Sequence, residues 1–375
     1  MKITGMKIHR VEVSPRGDWI FVEVETDAGI AGVGEASQSG DDRLTVSALE
    51  QLGERLEGED PTQVEVIWEK TARAGGVFSG EAGRVGATAV SAVDQALWDI
   101  AGKALDVPVW RLLGGRHRER VRVYANLNRG TWDRTPKGFA DMARRAVRAG
   151  FSAVKCTPFD EVHWRRQDQE GRDHSVEAGI ERLRAVRRSI GPEIELLVDC
   201  HCRFDLPLAL KVAEKAAPLD LYWFEEPVPR TQIDALCEIS RLSGQRIAGG
   251  EGFFGREGFW EYISRGAVHV IMPDVKHAGG ITECRRIAAL AEIRQIPVSP
   301  HSPAGPVSTA AGVHLAASIP NFSLLEYAFG EVDWRADLVD PPERVEEGFI
   351  AVPDRPGLGI ELNRAVLERH RKPLF

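Results

Sequence analysis

No apolar run in this 375-residue chain approaches the roughly 18 residues that a bilayer-spanning helix needs, so no membrane span is expected. An excess of positive charge is also missing. With 48 Lys+Arg against 56 Asp+Glu the formal balance is 48 − 56 = −8, a poor surface for phosphate backbones or anionic membranes, and neither nucleic acid nor membrane is expected as a partner. Cysteine is scarce: the five residues (156, 200, 202, 237, 284) are odd in number and lack the spacing of small secreted domains, which points to reduced thiols in a cytoplasm. The opening MKITGMKIHRVEV has no signal-peptide core and alternates like a strand. What is present is an ordinary globular composition, 43% hydrophobic and 28% charged, on a chain long enough for about two domains and one large core.

Residues 20–26 and 30–35 alternate around Asp27-Ala28-Gly29 as a hairpin, and 84–105 carries Val85, Ala89, Val93, Ala96, Leu97 and Ile100 at helical steps before Pro108. That pattern predicts a long amphipathic helix. The basic stretch 111–122 is interleaved with Glu119 and apolar residues and reads as a solvated connector. Gly29 to Gly34 has a GxxGxG order, but it joins strands instead of opening a helix, so a dinucleotide fold is not indicated. From about 120 to 327, eight β-branched or aromatic runs (121–124, 153–155, 194–199, 221–225, 246–249, 268–274, 296–299, 322–327) alternate with seven helical segments. This is α/β order with a parallel sheet, and eight is the number that closes a barrel. The tail reads as a strand at 348–352 and a short helix; with no barrel partner left, it is expected to return to the first domain.

Chemistry in a parallel barrel gathers where strands end. Here the ends are Lys155, Asp199, Glu225-Glu226, Glu251, Asp274, His301 and Glu326. Asp199, Glu225 and Glu251 lie 26 and 26 residues apart, one βα unit each, which sets three carboxylates on adjacent strands at one rim. At about 4 Å and an effective dielectric near 20, each pair of such charges costs roughly 4 kcal/mol, so protons or a cation must neutralise them. An all-oxygen set suits Mg²⁺. Asp274 beside His301 would fix the tautomer of the imidazole and raise its basicity, making His301 a base. His201 follows Asp199 by two residues, and strand alternation points both side chains the same way while sending Cys200 and Cys202 to the other face, away from a zinc site.

The stretches VSAVDQALWDIAGKALDVPVWRLLGG (90–115), VDCH (198–201), WFEEPVP (223–229), GGEGFF (249–254), IMPDVKHAGGIT (271–282), SPHSP (299–303) and LLEY (324–327) together resemble the enolase superfamily, mandelate racemase subgroup, over nearly the whole chain. The resemblance implies a modified TIM barrel, (β/α)7β, at 119–328. An α+β capping domain would be built from 1–118 and completed by 329–375 returning to it. It further implies Mg²⁺ on Asp199, Glu225 and Glu251, with Glu225 chosen over Glu226 by the family pattern, and a homo-oligomer, octamers among the forms suggested. Lysine-base relatives carry their base five positions before the strand-six Gly-Gly, where this chain has Asp274; the Lys-x-Lys of mandelate racemase is replaced by Lys155-Cys156-Thr157. Asp199-Cys200-His201 is similar to the acid-sugar dehydratases of the galactonate type. For that class the expected roles are His301 as base at C2, oriented by Asp274; His201 as acid at the C3 hydroxyl; and Lys155 with Glu326 at the substrate carboxylate. The partner would be a small acid sugar, aldonate or aldarate. A racemase or epimerase using His201 as a second base, and a non-catalytic sugar-acid-binding protein, are the competing readings. Candidate substrate contacts are Arg16 and Trp19 in one turn, 75–80, and His163 and Trp164 in the insertion after strand two.

Overall fold

The computed structural model describes residues 1–73, 83–163 and 169–375. Strands β1 (Ile3–Ser14), β2 (Gly17–Thr26) and β3 (Ala31–Glu35) form an antiparallel meander. Helices α1 (Asp42–Leu56), α2 (Val64–Trp68) and α3 (Gly83–Ala104) follow, with Asp41 capping α1 by accepting from Leu44 N at 3.0 Å. The GxxGxG run is explained by packing: a Cβ on Gly32 or Gly34 would sit 2.1 or 1.9 Å from the carbonyl oxygens of Ala96 and Ala92, so only glycine lets β3 lie this close against α3.

The long helix is not amphipathic in the expected sense. It is buried nearly all round, and its polar residues face other elements instead of water. Ser91 Oγ accepts from Gly279 N at 2.9 Å, Asp94 accepts from Thr282 N and Oγ1 at 3.1 and 2.5 Å, and Asp99 accepts from Val33 N and Leu358 N at 3.0 and 2.7 Å. Burial pushes the Asp94 carboxyl up to about 7. A helix read only by apolar spacing hides this, because buried polar groups are satisfied by partners far away in sequence.

After α4 (Val109–Leu112) come the barrel elements β4 (Arg120–Asn126), α5 (Pro136–Arg148), β5 (Ala153–Cys156), α6 (Gln169–Ile190), β6 (Glu195–Asp199), α7 (Leu206–Ala216), β7 (Leu221–Glu225), α8 (Ile233–Leu242), β8 (Ile247–Gly249), α9 (Gly255–Arg265), β9 (Val270–Ile271), α10 (Gly280–Ile293), α11 (Pro306–Ser318) and β10 (Leu325–Ala328). The strands pair in parallel from β4 to β9, and β10 returns to β4. Isolated bridges of Val298 to Ile271 and to Phe322, and of His301 to Asp274, close the remaining gap, so the seventh strand is two isolated bridged positions instead of the expected run 296–299. Tyr124, Ala153, Leu197, Trp223, Ala248, Val270, Met272 and Leu324 fill the interior as their own apolar cluster. Among the described residues no helix is long and apolar enough to cross a membrane.

The tail, β11 (Val339–Asp340), β12 (Phe349–Ala351), β13 (Glu361–Leu362), α12 (Arg364–Arg369) and β14 (Arg371–Lys372), corrects one expectation. A barrel partner does exist: β12 pairs antiparallel with Arg120, Val121 and Arg122 of β4, because that strand begins before its neighbour β5 does and leaves an open edge. Strand β14 joins the first sheet beside β1, and Arg364 of α12 pairs with Glu23 of β2. The meander is locked to the barrel by Glu35, whose buried carboxylate accepts from Gly305 N and Ser308 N at 2.7 and 2.8 Å at the start of α11.

Candidate active site

Asp199 and Glu225 end β6 and β7 as direct Cα partners, and Glu251 stands two residues beyond β8. One carboxylate oxygen from each lies within 4.8 Å of the others. Glu225 is wholly buried. It accepts from Lys155 Nζ at 2.8 Å and from the Trp223 indole at 2.9 Å, so the barrel interior itself holds it in place. Burial, then Asp199 and Glu251 against the help of Lys155, pushes Glu225 well above the usual carboxylate range. Asp199 goes the other way: despite burial, His201 and Lys155 hold it below that range.

Three carboxylates drawn this close, one of them driven to take up a proton, fit a divalent cation. Glu251 adds a second sign: its Oε2 is buried and, although His301 Nε2 stands 3.2 Å away, the angle leaves it without a hydrogen bond. The donors are all oxygen, the chemistry that a hard ion such as Mg²⁺ prefers.

Glu226 turns aside. With φ at +39° its carboxylate accepts from Gly250 N at 3.0 Å, Arg230 Nε at 3.0 Å and Cys202 Sγ at 3.1 Å, bracing the rim loops. The reason given for His201 is also corrected. The strand stops at Asp199, and His201 and Cys202 lie in a left-handed turn at φ +48° and +57°. That turn, and no strand alternation, brings His201 Nε2 to 2.8 Å from Asp199 Oδ2. The charge of Asp199, working against burial, lifts His201 to about 9; a cation on Asp199 would oppose that lift.

Asp274 and His301 face each other across a parallel bridge, with His301 Nδ1 2.6 Å from Asp274 Oδ2. Donation from Nδ1 leaves Nε2 as the basic atom, turned to Glu251. Asp274 also accepts from Lys276 Nζ and N, both at 2.7 Å. Although buried, it is held well below the usual range by the charge of Lys276 and the hydrogen bond from His301.

Lys155 is fully buried between Glu225 Oε1 at 2.8 Å and Glu326 Oε1 at 3.1 Å. Glu326 accepts from Asn126 Nδ2 at 2.5 Å and Ser302 N at 3.0 Å. Lys155, itself paired with Glu326, therefore braces Glu225 of the trio. Neither these two nor Glu225 and Glu251 line the 300 Å³ cavity, whose wall includes Asn126, Asp199, His201, Lys276, His277 and His301 together with Arg16, Gln38, Arg84, Asn128, Arg129 and Pro303. A larger cavity of 550 Å³ lies at the other end of the strands, beside Glu195, Leu221 and Arg246, far from these groups.

Of the loop candidates, Arg16 reaches the cavity. Trp19 does not: it is wholly buried, edge-on to Phe21 and Trp334 at 6.3 and 5.5 Å, because the β2 position it holds faces the core. His163 is exposed with Arg203 Nη1 3.4 Å away and is not among the lining residues. Trp164 and 75–80 lie outside the described residues. Sequence reasoning missed Asn126 by ending strand one at Tyr124, two residues early. It passed over Lys276 and His277 inside the motif that carries Asp274.

Against known proteins, residues 138–366 match the enolase C-terminal domain-like family model, and 6–114 match the mandelate racemase / muconate lactonizing enzyme N-terminal domain. The chain belongs to the enolase superfamily. Within it, the chain is 36% identical to a D-galactonate dehydratase of Verminephrobacter eiseniae, covering 99% of this chain and 95% of that one, and 33% identical to a D-xylonate dehydratase of Haloferax volcanii, covering 94% and 85%. A solved mandelate racemase/muconate lactonizing enzyme-like protein from Rubrobacter xylanophilus superposes with a TM-score of 0.90 at 34% identity, covering 100% of this chain and 99% of that one. For this superfamily member the rim residues described above occupy the carboxyl ends of the barrel strands.

Proposed function

We propose that this enolase-superfamily chain is a Mg²⁺-dependent sugar-acid dehydratase that removes the C2 proton and the C3 hydroxyl to give a 2-keto-3-deoxy acid. The dehydratase assignment is supported by relatives of that name aligned over nearly their full length. The mechanistic reading is carried by one observation: a histidine oriented by a buried, ionised aspartate turns its free Nε2 to within 3.2 Å of the acidic trio. Asp199, Glu225 and Glu251 would hold Mg²⁺, which when bound supplies positive charge beside the substrate carboxylate as the neighbouring C–H bond breaks.

His301 Nε2 takes the C2 proton, and Asp274 stabilises the imidazolium that results. His201, with Nε2 held 2.8 Å from Asp199, would in its protonated form give a proton to the departing C3 oxygen. The enol product tautomerises to the keto acid. Lys155 keeps Glu225 and Glu326 in fixed positions.

Replacing His301 with Asn is expected to abolish Mg²⁺-dependent C2 hydrogen exchange in D₂O in a folded protein; undiminished exchange would refute the base. In His201→Asn, dehydration stops while exchange persists, and normal turnover there removes the acid role. Two histidines on one cavity also suit a racemase. A semicarbazide assay separates the two readings, since only dehydration yields a keto acid.

A further inference from the structure

The cavity wall carries four cations, and their partners do not balance. Lys276 is matched by Asp274 at 2.7 Å, and Arg129 by Glu331 at 3.4 Å with Gln38 also accepting from it. Arg16 has no carboxylate within ion-pair reach among the described residues. Its guanidinium donates to neutral oxygens, the backbone and side-chain oxygens of Asn128 and the carbonyl of Thr131. Arg84, half-buried on α3, likewise forms no ion pair with a described residue, and its Nε is buried without any hydrogen-bond partner. Among the described residues the only carboxylate on this wall is Asp199, already committed to the trio.

A buried, unpartnered guanidinium nitrogen is costly, and guanidinium groups pair best with planar oxyanions. An aldonate would bring its single carboxylate to the trio and end in a neutral hydroxymethyl group, leaving Arg16 and Arg84 unmatched. We propose that Arg16 and Arg84 form a subsite for a second carboxylate, so that the substrate class is the aldaric acids, sugar acids ionised at both ends. This rests on the sugar-acid reading above and departs from the single-carboxylate acids named for the two relatives. Charge-assisted hydrogen bonds of this kind are worth about 10- to 150-fold in association each.

The test uses binding, so that it does not depend on turnover. Full-length His301→Asn protein with saturating Mg²⁺ is titrated calorimetrically with matched pairs: galactarate and galactonate, glucarate and gluconate, xylarate and xylonate. The diacid of at least one pair is expected to bind tighter by about 30-fold or more, and that ratio to fall below about 3 when Arg84→Met or Arg16→Met is added. Arg84→Lys, which keeps the charge and loses the fork, should lie between and guards against a folding defect in the methionine variant. Equal or tighter binding of the monoacids, an unchanged ratio in both methionine variants, tighter binding of 6-phosphogalactonate than of galactarate, or binding of none of these acids overturns the subsite. Diacid binding by this variant without any dehydration of that diacid by the unmodified protein leaves the subsite standing and sinks the dehydratase reading instead.

Discussion

If the acidic trio is a cation site, then removing one of its charges should stabilise the metal-free protein while abolishing its response to metal. Glu251→Gln is the cleanest perturbation, because Glu251 lies beyond its strand and, unlike Glu225, has no lysine against it. Its oxygen lies within 4.8 Å of oxygens from Asp199 and Glu225. At that distance and an effective dielectric near 20, each repulsion is about 3.5 kcal/mol. Lys155, His201 and proton uptake by Glu225 screen most of the gross sum, leaving a net gain of about 1–3 kcal/mol for the glutamine variant. In EDTA its Tm should therefore rise by about 1–4 °C. Magnesium at 100 times its Kd would stabilise the unmodified protein by about 2.7 kcal/mol. Differential scanning fluorimetry at pH 8, with EDTA and with MgCl₂, reads both effects. The variant should lose nearly all of the magnesium shift. A lower Tm than wild type in EDTA, or a full magnesium shift in the variant, would refute the idea that these carboxylates are held together against their repulsion for an ion.

Lys155→Met leaves Glu225 and Glu326 facing each other inside the barrel without their shared cation. Breaking a buried pair this way costs about 3–5 kcal/mol, and a loss below about 1 kcal/mol in guanidinium unfolding would contradict the network. Asp94 gives a pH test. Its folded pKa of about 7 stands above its ordinary 3.8, so between these values the unfolded chain releases a proton that the folded one keeps, and stability falls as pH rises through that window. The slope is on the order of 1.4 kcal/mol per pH unit, and Asp94→Asn should flatten the Tm profile between pH 5 and 7; parallel profiles would show that the carboxyl is not buried as described.

Much of the fold was legible because the barrel repeats. The 26-residue spacing of Asp199, Glu225 and Glu251 is a strand, a turn and a helix, and the same unit put Asp274 beside His301. What failed failed where local pattern is a weak guide. Trp19 was read as a loop residue, yet strand β2 has buried residues at every position from Asp18 to Val24, so alternation could not mark which face met solvent. The helix α3 was read by its apolar steps, while its polar residues were satisfied by partners such as Gly279, Thr282 and Leu358 some 180 to 260 positions on. His201 reached its place through a left-handed turn that no residue type announces.

The dyad shows why the parts cannot be read singly. A base needs its carboxylate ionised whenever the imidazole is to gain a proton, but Asp274 is wholly buried, and burial alone would protonate it. Lys276, two residues on, prevents this with both its backbone N–H and its ammonium, and lies 3.2 Å from His277 Nε2, whose Nδ1 is held by Thr88 of α3 at 2.8 Å. Burial and Lys276 keep His277 neutral, so it can accept from that ammonium instead of repelling it. The chain Thr88, His277, Lys276, Asp274, His301 thus runs from a helix outside the barrel to the atom assigned to proton abstraction. If His301 is the base, helix α3 thus supports it as well as covering the barrel, and a change at Thr88 should be felt at His301 without touching the cavity.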